Sequence, residues 1–138
     1  AVDPYFIISD YPMESRIIRT ARDVNKYKSF WCIEKIENQI LKFELENGRK
    51  PKIAICGLAF KPNIDDLRES PAVYIAKKIQ QIYPKDFIFF VEPNINSHES
   101  FEIVSYETAM EHSDLCFILV NHKEFKSYLH KRTISFVN

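Results

Sequence analysis

The densest run of chemically capable side chains is Gly57-Leu58-Ala59-Phe60-Lys61-Pro62-Asn63-Ile64-Asp65-Asp66-Leu67-Arg68-Glu69-Ser70-Pro71. It is a charged loop between a short apolar run and an amphipathic segment. Ser70 followed by Pro71 is a helix start, with Ser as N-cap and Pro in the first turn. The unpaired N–H groups of such a helix form a positive pole. Lys61 and Arg68 flank the loop, one a point charge and the other a planar fork, so the segment has the donors to cradle a pyrophosphate without a glycine-rich turn. Arg68 has a second outcome open to it, a surface pair with Asp65, Asp66 or Glu69.

Two further segments end apolar runs with polar groups. Glu92-Pro93-Asn94 follows F-I-F-F-V and places a carboxylate where dinucleotide folds bind a ribose hydroxyl; the plain alternative is a solvated charge closing a strand. Asn121-His122 follows L-C-F-I-L-V, and His122 reads as a loop residue before it reads as a catalyst.

Other chemistries are poorly supplied. Gly48 and Gly57 are the only glycines, which excludes glycine-rich phosphate loops of the dinucleotide and triphosphate types. Cys32, Cys56 and Cys116 are odd in number, far apart and set in apolar segments, so they read as buried free thiols. His98, His112, His122 and His130 show no metal-ligand spacing, and no metal is expected. Lys plus Arg balances Asp plus Glu at 19 each, which argues against a nucleic-acid or membrane-surface partner. No apolar run approaches the roughly 20 residues of a membrane span. The amino terminus shows no signal-peptide pattern, so the expected address is cytoplasmic.

The elements that must position the loop follow from periodicity. Ile17, Ala21, Val24, Trp31, Ile33, Ile36 and Ile40 recur at helical steps, predicting one long helix from Pro12 to about Leu45, stopped by Asn47-Gly48 and Pro51. Its second half is apolar on more than one face, so part of it must meet another body, either a further domain or a second copy. Beyond Gly48, short continuous apolar runs predict strands at Lys52–Leu58, Phe87–Val91, Leu115–Val120 and Thr133–Val137. Helices are predicted at Ser70–Tyr83, Ser105–His112 and Lys123–Leu129. Alternation of this kind predicts an α/β fold: a long N-terminal helix followed by a Rossmann-like parallel sheet with helices on both faces. Ligands of such sheets bind beyond the carboxyl ends of the strands, where the charged loop lies.

The loop G-L-A-F-K-P-N-I-D-D-L-R-E-S-P-A resembles the signature of the UDP-glucose/GDP-mannose dehydrogenase family at the start of its carboxyl-terminal domain. A-V-D-P-Y-F-I, I-I-R-T-A-R-D-V-N, V-E-P-N-I and V-N-H-K-E-F extend the resemblance over nearly the whole chain in the family's order. It implies a division into residues 1–48, part of the central linker and dimerisation helix, and residues 49–138, the UDP-sugar-binding domain. It also implies a homodimer through the long helix, and a parent enzyme that oxidises a sugar C6 alcohol with NAD through a thioester on a cysteine. That cysteine would lie two residues before Ala1, and none of the three cysteines present matches it. Residue by residue, the resemblance implies that Phe60 and Lys61 contact the sugar nucleotide. It implies that Arg68 reaches the NAD of the neighbouring domain, and that Asp3 assists water or proton handling. UDP-N-acetylmannosamine is the expected substrate, with UDP-N-acetylglucosamine, UDP-glucose or GDP-mannose as alternatives. The chain alone, without cofactor domain and nucleophile, is expected to be inactive.

Overall fold

A computed structural model describes residues 3–127 and 132–137; the side chains of Asp3, Lys126 and Ser127 lie outside that description. The elements are α1 (Asp3–Asp10), α2 (Arg16–Asn47), β1 (Ile53–Cys56), α3 (Pro71–Ile82), β2 (Ile88–Val91), α4 (Tyr106–His112), β3 (Leu115–Ile118) and β4 (Thr133–Ser135). The predicted long helix is α2, which begins at Arg16 and not at Pro12, and α1 ahead of it is a further helix that the periodicity does not predict. Pro12 disfavours helical geometry at Tyr11 and lacks an N–H, so α1 ends at Asp10 and α2 begins only after a turn through residues 12–15. At its far end, Gly48 adopts φ 66° and donates its N–H to the Glu44 carbonyl, the left-handed stop expected of glycine.

The four strands form one parallel sheet in the order β2-β1-β3-β4. Strand alternation separates two apolar layers. Ile53 and Ile55 of β1 and Leu115 and Phe117 of β3 pack under α2 and α3, against Ile36, Ile40, Ile75 and Ile79. Ala54, Cys56, Cys116 and Ile118 point the other way, towards Tyr106, Ala109 and Phe125. The expected sheet with helices on both faces is therefore present. Half of α2 shares its core, since Cys32, Ile36, Ile40 and Phe43 are buried on it. The predicted Lys123–Leu129 helix is a short 3-10 turn over Lys123–Ser127, and its last positions fall outside the described residues.

The three cysteines are free and buried as expected. Cys56 and Cys116 approach to 3.7 Å between Sγ atoms across β1 and β3, and burial pushes the Cys56 thiol up, which suits a packing role. Arg49, just beyond α2, grips Asp114 with two hydrogen bonds of 2.8 and 2.7 Å. Asp114 also accepts from the Lys52 N–H, so the starts of β1 and β3 are tied together.

The predicted start of α3 is also present. Pro71 occupies the first turn, and the Ser70 hydroxyl accepts from the N–H groups of Ala72 and Val73 while donating to the Ala59 carbonyl. Ser70→Ala is expected to cost about 1–2 kcal/mol in denaturant titration, because a cap and a buried tie to the loop disappear together. A change below about 0.3 kcal/mol would count against this role of the cap.

Candidate functional site

β1 sits between β2 and β3, with α3 on one face and α4 on the other, so the chain leaves β1 and β3 in opposite directions at the carboxyl rim. That divergence opens a crevice. Here it widens into a cleft of about 1130 Å³ between the rim and the first half of α2. The loop contributes Ala59, Phe60, Pro62 and the capping Ser70, α3 contributes Pro71 and Tyr74, and the rim adds Val120, Asn121 and Phe136. α2 closes the opposite side with Arg22, Asn25, Lys26, Lys28, Ser29 and Phe30.

The placement of the charges differs from the sequence-based expectation. Phe60 forms part of the wall, but Lys61 does not; it is exposed, with Nζ 5.8 Å from the centroid of the Phe60 ring. Arg68 takes the second of its two outcomes. Its Nε and Nη2 donate to the two carboxylate oxygens of Asp66 at 2.9 and 2.8 Å, and its backbone N–H donates to the same group. These bonds hold the Asp66 carboxyl down to about 2. The side chain of Asp3 lies outside the described residues; its backbone begins α1.

The backbone amides expected to receive a pyrophosphate are also engaged. Ser70 caps the start of α3. Glu92, buried at 1% exposure, accepts from the N–H groups of Leu58 and Ala59 at 2.7 and 2.9 Å through Oε2. Neither expectation for this carboxylate holds: it is not solvated, and it is turned inward to the chain's own amides and away from any ribose. Its other oxygen accepts from the N–H and the side-chain amide of Asn94. Burial alone would raise its pKa, but the bonds from His122, Leu58 and Asn94 outweigh that and hold it at about 2. His122 is a loop residue, as expected, but a wholly buried one, with Nε2 3.0 Å from Glu92 Oε2.

The cations that do face the cleft stand on α2. Arg22 donates through Nη2 to the Tyr5 hydroxyl at 3.1 Å and lies 4.7 Å from the centroid of that ring, with Lys26 Nζ 5.7 Å from the same centroid. Among the described residues, the Arg22 Nε is buried without a hydrogen-bond partner. Among the described residues no carboxylate lies within ion-pair distance of Arg22 or Lys26, and Glu69 is the single acidic residue in the wall. The sequence carries a signal for this set: Arg22, Lys26 and Ser29 are spaced by four and three residues, a polar stripe on one helical face. Such a wall, aromatic on one side and cationic on the other, suits a ligand with a flat ring and an anionic tail.

Residues 54–136 match the family model described as the UDP-glucose/GDP-mannose dehydrogenase family, UDP binding domain. The chain belongs to that family. It is 41% identical over 134 residues to the UDP-N-acetyl-D-mannosamine dehydrogenase of Escherichia coli K12, a match that covers 91% of this chain and 32% of that protein. The enzyme of the same name from Campylobacter jejuni is 40% identical over 143 residues, covering 99% of this chain and 34% of the relative. Among solved structures, the UDP-N-acetyl-mannosamine dehydrogenase of S. aureus superposes with a TM-score of 0.71 at 28% identity, over 96% of this chain and 31% of that one. The chain thus spans about a third of the length of the relatives it matches.

Proposed function

We propose that this chain is the sugar-nucleotide-binding part of an NAD-dependent UDP-N-acetylhexosamine 6-dehydrogenase, with UDP-N-acetylmannosamine as substrate and a uronic acid for surface polysaccharide as product. The observation that carries the reading is the cleft, whose aromatic and cationic walls open at the crevice of a domain matching a UDP-binding family model. Phe60 and Tyr74 offer ring faces and edges to the base or sugar. Arg22 and Lys26 meet the diphosphate as charge-assisted donors, and the unpartnered Arg22 Nε gains an acceptor. Lys61, one residue beyond Phe60 on a flexible stem, adds charge to ligand that extends past the cleft mouth.

The rim itself does not fit NAD. The amides of Leu58 and Ala59, which occupy the place where a dinucleotide fold presents its phosphate-binding turn, are already bound by Glu92. NAD is therefore assigned to another part of the full-length protein, where it supplies hydride acceptance. It touches this chain only at Arg68, once that guanidinium leaves Asp66. Asp3 is assigned to water or proton handling beside a nucleophile outside this chain, so the chain alone has no dehydrogenase activity. In this reading residues 1–48 form linker and dimerisation helix and residues 49–138 the binding domain, in a cytoplasmic enzyme. α2 pairs with its counterpart in a second copy through an outward face on which Ile17, Val24, Tyr27 and Leu45 are 63% or more exposed.

Calorimetric titration of the full-length protein with UDP tests the cleft. Arg22→Ala is expected to weaken UDP about tenfold to hundredfold, the loss of a charge-assisted phosphate contact, and Lys61→Ala by less. Unchanged affinity in Arg22→Ala overturns the assignment of the diphosphate to α2. Tighter binding of GDP than of UDP would move the substrate to a guanosine sugar.

A further inference from the structure

Beside the Ser70 tie to the Ala59 carbonyl and the bond from the Phe60 N–H to the Asp66 carbonyl, the loop that carries Phe60 is held by one buried ion. Glu92 Oε2 receives Leu58 N–H, Ala59 N–H and, at 3.0 Å, Nε2 of His122. His122 Nδ1 lies 2.9 Å from the Asn63 N and 3.0 Å from the Asn94 side-chain nitrogen. Both are donors, so Nδ1 is the acceptor and the ring proton sits on Nε2, pointing at Glu92. The imidazole therefore relays the carboxylate across to Asn63. Asn63 in turn adopts φ 63° and accepts the Lys123 N–H through Oδ1 at 3.0 Å. One end of the loop, Leu58-Ala59, and the other, Asn63, are thus held by the same pair, and only Phe60, Lys61 and Pro62 arch between them. Both members of the pair are at 0–1% exposure, so no water competes for these bonds.

We propose that Glu92 and His122, bridged by Asn94, are positioning residues for ligand binding: they act through the backbone of the Phe60 loop and never touch the ligand. This rests on the reading of the cleft as the nucleotide site. A dinucleotide fold aims its first-loop amides at a phosphate. This chain turns the same amides onto an internal carboxylate and uses the resulting rigidity to fix an aromatic wall. A preorganised wall spares the ligand the entropy of ordering it, so loosening the arch lowers affinity without removing any contact residue.

The two nitrogens of His122 can be tested apart, because an Asn side chain presents its amide near the position of Nδ1 and a Gln side chain near that of Nε2. In the full-length protein His122→Gln keeps the donor to Glu92 and releases Asn63, whereas His122→Asn keeps an acceptor for Asn63. The expected result for His122→Gln is faster amide hydrogen exchange at Asn63 and UDP affinity about tenfold weaker, measured by calorimetry where the protein is folded. His122→Asn is expected to stay within about threefold of the wild type. Asn94→Ala, at a half-buried position outside both apolar layers, serves if a His122 variant does not fold. It is expected to weaken UDP about threefold to tenfold. Phe60→Ala tests the cleft by itself. Unchanged UDP binding in Phe60→Ala overturns the cleft reading. Weakened binding there, beside wild-type affinity in His122→Gln or Asn94→Ala, overturns the clamp and leaves the cleft standing.

Discussion

Gly57→Ala is expected to leave the protein unfolded or nearly so, with a loss of about 4 kcal/mol or more in denaturant titration. A Cβ at this position would lie 2.2 Å from the Val120 carbonyl oxygen and 2.8 Å from both Val120 N and Cβ. The obstructing atoms are mostly backbone, at the point where β1 and β3 leave the sheet. They cannot swing aside as a surface side chain does. Gly57 N–H also donates to Val91 O, and Cys56 O accepts from Leu119 N–H, so any shift there breaks bonds to both neighbouring strands. The φ of 83° adds strain for any residue with a side chain. Gly48 is the internal control. It has a similar positive φ of 66° but nothing within 4 Å, so Gly48→Ala is expected to cost only about 1 kcal/mol. Equal costs at the two positions would show that close packing of β1 on β3 is not what demands glycine.

Acid should find the same rim. Glu92 titrates near 2 in the folded chain against an ordinary value of 4.5, so the folded state binds this proton more weakly than the unfolded state. Its contribution is therefore complete above about pH 4.5 and fades as pH falls towards 2. At about 1.4 kcal/mol per pK unit, the amount is on the order of 3 kcal/mol. Asp66 and Asp114 are also held low, by Arg68 and Arg49 respectively, but they sit nearer solvent, where screening leaves little of such effects. Glu92→Gln isolates the buried group. Its stability should start lower at neutral pH, because an amide NH2 then faces backbone donors, and it should decline less between about pH 5 and pH 2. Parallel acid curves for the wild type and Glu92→Gln would remove Glu92 as the source.

The parts of the protein legible in the sequence are those that arise from neighbours along the chain. Continuous apolar runs identified all four strands, and helical spacing identified α2, α3 and α4. Ser70-Pro71 marked a cap that forms its hydrogen bonds as read. Pro12 suits the first turn of a helix, although its effect on Tyr11 is to divide α1 from α2, a competition between two local rules that periodicity alone does not resolve. Arg68 and Asp66, two residues apart, were legible as a pair. The polar stripe of Arg22, Lys26 and Ser29 is equally local, but apolar periodicity does not single it out.

By itself, then, the sequence determined the chain order of the four strands with α2, α3 and α4, the family signature at residues 57–72 and the lack of a glycine-rich phosphate loop. Each depends on residue types within a few positions of one another, which is the range over which propensity and capping act. Tertiary structure alone decided where the charges go. Glu92 and His122 are thirty positions apart and meet only because β2 and β3 flank β1. The crevice between the β1 and β3 loops is bounded by the first half of α2, which carries its cations, while the second half packs on one face of the sheet. A carboxylate that ends a strand is cheapest in water unless several donors converge on it, and only the assembled rim supplies Leu58, Ala59, Asn94 and His122 at one point.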